Sequence, residues 1–482
     1  MRRLRAVNFW GPPALLALAL TYYLGYVKDD AYISFRYAAH WAGGQGLVFN
    51  PGDHTEGYTN FLWTAAVSLL IRVGVPALIG AKVLGAAAAF AGLYWLRRLA
   101  AEIEPAAAPR AAWLWAASPT VGLWAASGLE PTAAAALTAL AFLLLARGRA
   151  LWAGLALGAC ALLRPEGHLV ALAGLALAPR AALPCLALLV PYHLWRWHTF
   201  GDLVPNPYYV KAAVPALGPG LRYAGLFLLF YGHGLLFALA LLRRGRLARV
   251  GAGLAVVFLL YLIYVGGDEM RWFRLFAPAL PLLLVLSAPA LPRWLVPGFV
   301  LFGLVAHATD GWHLRSYLAQ DERAYFPLAD AITARARPGD SALFQDCGAT
   351  PFRALAIPFH DPIGVTDRRI ARMYAAARWS PFRGFGPEPL ERALREELFA
   401  RDPRFIALVA YIPRELERDV ADRFGDAPES TLLPFLAANS YAHGIPSDER
   451  FRARYRFVGA WARNPLYYLA LYERPPYPGE AR

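Results

Sequence analysis

Between residues 10 and 308 the chain is a succession of apolar runs separated by short polar breaks. In hydrocarbon a backbone must satisfy its own amides and carbonyls, so each run reads as a helix. The pattern predicts eleven spans, at roughly 10–27, 77–96, 111–126, 131–146, 150–163, 167–178, 181–195, 221–242, 250–265, 275–290 and 294–308. Several are shorter than the ~20 residues that cross a bilayer, and such short spans are expected to end in a polar cavity. The N-terminal run has the Arg-rich start of a secretory signal but no small-residue cleavage motif before Lys28, so it is read as a retained first span.

Charge separates this region from the rest. The chain carries 48 Lys and Arg against 34 Asp and Glu, a net charge of +14, yet only 17% of its residues are charged. A soluble surface needs about a quarter. Residues 1–308 hold 24 basic and 11 acidic residues, whereas 309–482 hold 24 and 23. The expected organisation is a transmembrane domain over 1–308 and a globular domain over 309–482. The excess positive charge belongs to the first, and the balanced charge of the second argues against nucleic acid.

Cytoplasmic loops retain Lys and Arg. Arg2, Arg3 and Arg5 place the N-terminus inside, and Arg97, Arg98, Arg110, Arg147, Arg149, Arg180, Arg243, Arg244, Arg246, Arg249 and Arg293 fall on the same side if the spans alternate. This count requires Phe61–Ile71 to be a half-embedded helix at the outer surface; a full crossing there would invert every later assignment. With that topology only Glu102 and Glu104 among the acids fall inside. Asp29, Asp30, Asp53, Glu56, Glu130, Glu166, Asp202, Asp268 and Glu269 all fall outside, which points to a carboxylate-rich site at the outer membrane surface.

The first outer loop opens with Lys28-Asp29-Asp30-Ala31-Tyr32-Ile33-Ser34-Phe35-Arg36-Tyr37 and continues through Gly46-Leu47-Val48-Phe49-Asn50-Pro51-Gly52 to Glu56-Gly57-Tyr58-Thr59-Asn60. Adjacent carboxylates at a membrane edge suit proton transfer, because low polarity raises one of the two pKa values. They equally suit the first turn of a short helix over 31–41, whose N-terminus favours negative charge.

These motifs resemble the first outer loop of the arabinofuranosyltransferase B family and its bacterial relatives, which are integral-membrane glycosyltransferases of the GT-C class. Further landmarks follow in the family's order: Ser127-Gly128-Leu129-Glu130, Arg164-Pro165-Glu166-Gly167, Pro205-Asn206-Pro207-Tyr208-Tyr209-Val210-Lys211, Gly266-Gly267-Asp268-Glu269-Met270, Asp346-Cys347-Gly348 and Asp367-Arg368-Arg369-Ile370-Ala371-Arg372. The resemblance implies a polytopic α-helical GT-C fold with an α/β C-terminal domain on the outer face of the cytoplasmic membrane. It also implies an inverting transfer from a polyprenyl-phosphate sugar, arabinofuranose or a hexose, to a hydroxyl of a cell-envelope glycan or glycolipid. Asp30 best matches the family's general base and Asp29 is second, and the two can titrate as a pair.

The departing lipid phosphate needs positive charge. Arg164, Lys211, Arg271 and Arg274 are the outer candidates; Arg164 can also be a snorkelling anchor, and the last two can be interfacial anchors beside Trp272 and Phe273. Glu56, Tyr58, Asn60, Glu130, Glu166, Asn206, Tyr209, Asp268 and Asp346 are candidates for the sugar hydroxyls. Paired acids could chelate a divalent cation, but no cofactor is required by the pattern, and His54, His168, His193, His198 and His233 lack metal-ligand spacing. No nucleotide-binding glycine loop follows a strand.

In the C-terminal domain, Ser341–Gln345, Arg404–Ile412, Arg454–Ala462 and Leu466–Glu473 read as strands, and Ala324–Arg337, Pro389–Ala400 and Arg414–Phe424 as helices. Thr350–Pro389 reads as one long functional loop. Cys160 and Cys185 lie in spans, leaving Cys347 with no partner for an internal disulfide. A transporter of lipid-linked sugar is the competing reading, because intramembrane acids also line transport paths. Such proteins carry internal repeats and midplane acids, and neither is visible here.

Overall fold

The computed structural model describes residues 2–309, 311–416 and 429–476. It divides into two compact units. The first comprises Met1–Lys28, Thr59–Leu203 and Pro215–Ser316; the second joins Asp29–Tyr58 and Val204–Val214 to Tyr317–Arg482. The acid-bearing first loop therefore folds with the C-terminal chain.

The first unit is helical. Among the described residues three helices are long and apolar enough to cross a membrane, Ala77–Ile103, Leu217–Leu241 and Arg246–Val265. Pro119–Ala126 and Pro131–Ala146 form a fourth only as a pair bent by 119°. Shorter apolar helices, among them Ala150–Leu163 and Gly167–Leu177, accompany them. The expected span 111–126 is broken at Ser118, where Pro119 cannot donate the hydrogen bond a continuous helix needs.

Small residues let these helices approach closely, the way helices associate where lipid is as apolar as leucine. A Cβ at Gly85 would sit 2.0 Å from the Ala125 carbonyl oxygen, and one at Gly92 would sit 2.5 Å from the Trp115 ring. Lys82 lies within the helix Ala77–Ile103 and donates to the carbonyls of Leu24, Tyr26 and Ala126 at 2.8, 2.5 and 2.9 Å. These three acceptors match the three donors of its ammonium group.

The second unit is α/β. Its sheet contains β1 (Ala342–Phe344), β2 (Phe359–His360), β3 (Phe405–Tyr411), β4 (Arg456–Asn464) and β5 (Tyr467–Glu473) in the order β2-β1-β3-β5-β4. β1 runs parallel to β2 and β3, with Leu343 opposite Ile406. β5 runs antiparallel to β3 and β4, with Leu469 opposite both Val409 and Trp461. β3 is buried along all but its last residue, as an unbroken apolar run in a central strand should be. Leu394, Leu398, Leu432, Leu436 and Phe451 pack with the sheet residues Ile406, Leu408 and Tyr472 to make its core.

Thr350–Pro389 is not one long loop. It contains β2, the helix Arg368–Ala376 and part of the short helix Ala349–Arg353. The Asp367 side chain caps the helix Arg368–Ala376 by accepting from the Ile370 N–H at 3.1 Å. Of the expected helix Arg414–Phe424, only Arg414–Leu416 is described, as a single 3-10 turn, and 417–424 lie outside the described residues.

Candidate active site

The acid pair begins the helix Asp29–Ala42, so Asp29 and Asp30 occupy its first turn. Asp29 is locked onto the segment that follows β1. Its Oδ1 accepts from the Ala349 N–H at 2.8 Å, and Gly348 lies so close that a Cβ there would be 2.3 Å from the Asp29 carboxyl. Three residues before Ala349, Asp346 accepts hydrogen bonds from the hydroxyls of Tyr325, at 2.6 Å, and Tyr467. The Arg463 guanidinium lies over the rings of both tyrosines, 5.3 and 5.7 Å from their centroids, and donates to the buried Asp321 at 3.2 Å.

This setting acts on Asp29. Burial pushes its carboxyl up to about 7, and the Asp346 charge adds to the push; the Ala349 N–H opposes it, while Asp30 raises it and Arg463 lowers it by less. A carboxylate poised near neutrality accepts a proton at physiological pH and releases it again.

Other residues of the first loop hold it in place. Arg36 is fully buried and donates to the carbonyls of Phe49, Ala354, Ile357 and Pro351. Asn50 pairs with Phe359 in both directions, each bond 2.9 Å long. The Tyr37 hydroxyl donates to the Thr55 carbonyl at 2.6 Å and accepts from the Gly57 N–H at 2.8 Å. Glu56 and Tyr58 are buried beside it, the Tyr58 ring edge-on to Tyr37 with centroids 5.0 Å apart. The Glu56 carbonyl accepts from the Asn206 N–H, while the Asn206 side chain donates to the carbonyls of Gly364 and Val365 at 2.7 and 3.0 Å. Tyr209 lies under Arg372 and Lys211 over Phe382.

Within the first unit, four of the sequence candidates converge. Arg164 donates to Glu130 at 2.5 Å and forks onto both oxygens of Glu166 at 3.1 Å. Asn60 donates to the other Glu130 oxygen at 2.6 Å, and Tyr261 to Glu166 at 3.2 Å. All but Tyr261 are buried, Arg164 being 5% exposed. Asp268 pairs with Arg274 at 2.5 Å, whereas Arg271 is exposed. One guanidinium between two carboxylates leaves the Arg164 cluster with a net negative charge. A buried ion persists where it is paired, and Arg164 is paired with both carboxylates.

Tyr325, Tyr467 and Arg463 escape sequence reasoning, and Gly348 enters it only as the end of a motif. Each gains its meaning from Asp29 or Asp346 across a large chain separation, and only the Asp346-Cys347-Gly348 motif signals the place. Among the described residues no three His, Cys, Asp or Glu side chains gather closely enough to hold a metal ion.

No protein-family model and no curated protein matches the chain. Solved structures do. ArnT from Cupriavidus metallidurans, bound to undecaprenyl phosphate, superposes with a TM-score of 0.58 at 11% identity, over 97% of this chain and 98% of its own. Its apo state gives 0.59 over the same shares. The oligosaccharyltransferase of Archaeoglobus fulgidus gives 0.46 at 11% identity, over 93% of this chain and 73% of its own. The likeness to ArnT is one of fold: the chain is a helical membrane protein built on the same architecture.

Proposed function

We propose that this protein is an inverting glycosyltransferase that moves a sugar from a polyprenyl phosphate to a hydroxyl of a cell-envelope glycan or glycolipid. The reading places the site at the outer face of the cytoplasmic membrane. The observation that carries it is Asp29, an enclosed carboxyl held by the Ala349 N–H and raised toward neutrality, in a chain that folds like ArnT. Transfer then needs one base. Asp29 takes the acceptor hydroxyl's proton as that oxygen attacks the anomeric carbon; the carbon–oxygen bond to phosphate breaks, and the lipid phosphate leaves with its electron pair. Attack opposite the leaving group inverts the anomeric centre, and a single carboxylate suffices. Asp29 is taken as the base on its raised carboxyl and its geometry, while its neighbour Asp30 is the better match by motif. Asp346 belongs to the same device through its charge and its two tyrosines.

Proteoliposomes supplied with a panel of radiolabelled polyprenyl-phosphate sugars and envelope glycans provide the test. One donor should yield a product of inverted anomeric configuration, and Asp29→Asn should slow its formation by about 10²–10⁴-fold. Movement of labelled lipid across the bilayer with no transfer would overturn the reading in favour of a transporter. Transfer unaffected by Asp29→Asn would overturn the assignment of the base.

A further inference from the structure

Two histidines that the sequence sets 25 residues apart, a spacing no metal motif uses, meet in the first unit. His168 is the second residue of the helix Gly167–Leu177, and His193 lies in the helix Ala182–Phe200. Their Nε2 atoms are 3.2 Å apart. The ring centroids are 5.4 Å apart and the planes are inclined at 46°.

A backbone contact fixes which nitrogen of His168 is available. Its Nδ1 lies 2.9 Å from the Pro165 carbonyl, which can only accept, so the proton of the neutral ring sits on Nδ1. Nε2 then presents a lone pair to His193, and in the protein alone that lone pair accepts the His193 Nε2 proton. A ring whose far N–H is held by a carbonyl is also the form a metal-bound histidine takes, because the bond orients the imidazole and raises its basicity. Glu166, two residues before His168, is already held by Arg164 and Tyr261.

The separation suits a metal ion. Two imidazole bonds of ~2.0–2.1 Å to a tetrahedral centre hold their nitrogens about 3.3 Å apart. The observed 3.2 Å is so near this that turning the rings admits the ion between them. Both histidines are half-buried, and Pro165 and Leu194 beside them in the chain are exposed, so the pair is not sealed inside the helices. Imidazole nitrogens favour zinc or copper over magnesium and calcium, which take oxygen ligands.

We propose that His168 and His193 form a site for a divalent transition-metal ion such as Zn²⁺ or Cu²⁺, which bridges the two helices. The ion bonds to both Nε2 atoms, the proton between them moves to Nδ1 of His193, and water fills the remaining positions. Two protein ligands make an open, exchangeable site, where a closed structural one has four. None of the acids assigned to transfer takes part, so the site stands whether or not that chemistry is correct.

The full-length protein, purified in detergent through a tag without histidine, tests it. With one equivalent of Cu²⁺, electron paramagnetic resonance should show hyperfine splitting from two imidazole nitrogens, and from one at most in His168→Phe or His193→Phe. Each substitution should weaken binding by about 10–100-fold, the loss that even an outer partner of a metal site brings. Zn²⁺ should raise the melting temperature of the wild type but of neither variant, and Mg²⁺ should raise none of them. His193→Cys keeps a ligand and should retain the Zn²⁺ shift, which separates ligation from packing. A two-nitrogen spectrum that survives in both phenylalanine variants would overturn the proposal, because exposed histidines such as His54 and His198 would then hold the ion. So would a wild-type melting temperature that Zn²⁺ leaves unchanged.

Discussion

Asp29 can act as a base only when ionised, and with its carboxyl raised to about 7 the rate should fall tenfold per pH unit below that point. Asp346→Asn removes a negative charge that raises Asp29, so the acid limb of the pH–rate profile should move downward. An unchanged limb would mean that the two carboxyls are not coupled. The same shift bears on stability. A carboxyl whose folded pKa lies above its ordinary 3.8 contributes stability below that value and loses it as pH rises through about 7. Asp29→Asn should therefore raise the melting temperature relative to wild type at pH 8, with the gain fading toward pH 4. Gly348 supplies a steric probe: a Cβ there would meet the Asp29 carboxyl at 2.3 Å. Gly348→Ala should slow transfer by about 10²-fold, as a misplaced base does, while the far-ultraviolet circular dichroism is retained. The acid pair is legible in the sequence because it directly follows an apolar run. The grip on Asp29 is not, because Ala349 and Gly348 approach from more than 300 residues away.

At the scale of elements, the Arg164 cluster joins the ends of helices that the sequence shows only as separate span boundaries. Arg164→Met would leave Glu130 and Glu166 buried and uncompensated, at a cost of roughly 3–5 kcal/mol. Thermal unfolding in detergent should show that loss. Glu130→Gln and Glu166→Gln added to Arg164→Met should recover much of it, and a triple variant no more stable than the single one would contradict the charge argument. Four of the five strands were legible within one or two residues, as short runs rich in Val, Leu, Phe and Tyr, whereas the two-residue β2 was hidden in the stretch read as a loop. Nor was the helix Arg368–Ala376 legible, because an Arg-rich segment buries only Ile370, Ala371 and Tyr374. Its apolar stripe is too thin to stand out beside the surrounding prolines and glycines.

For the whole molecule, we propose from the basic clusters that the Arg243–Gly245 turn faces the cytoplasm and Ala377 the opposite side. Both Arg244 and Ala377 are exposed. In intact cells an impermeant thiol reagent should label Ala377→Cys, and should reach Arg244→Cys only after permeabilisation. The reverse pattern would invert the topology. The native thiols are buried and give little background.

What the sequence by itself determined was the contrast between its parts: apolar runs with few charges up to residue 308, which read as helices, and a charge-balanced run of strand and amphipathic-helix patterns after it. Those are local properties, written in composition and period. Tertiary structure alone decided that residues 29–58 and 204–214 fold with the C-terminal chain, that Arg164 is claimed by two glutamates, and that Asp29 rests on Gly348 and Ala349. Each depends on which distant carboxylate, carbonyl or amide arrives beside a given side chain. Desolvation and charge pairing act over a few ångströms of space, whatever the distance along the chain.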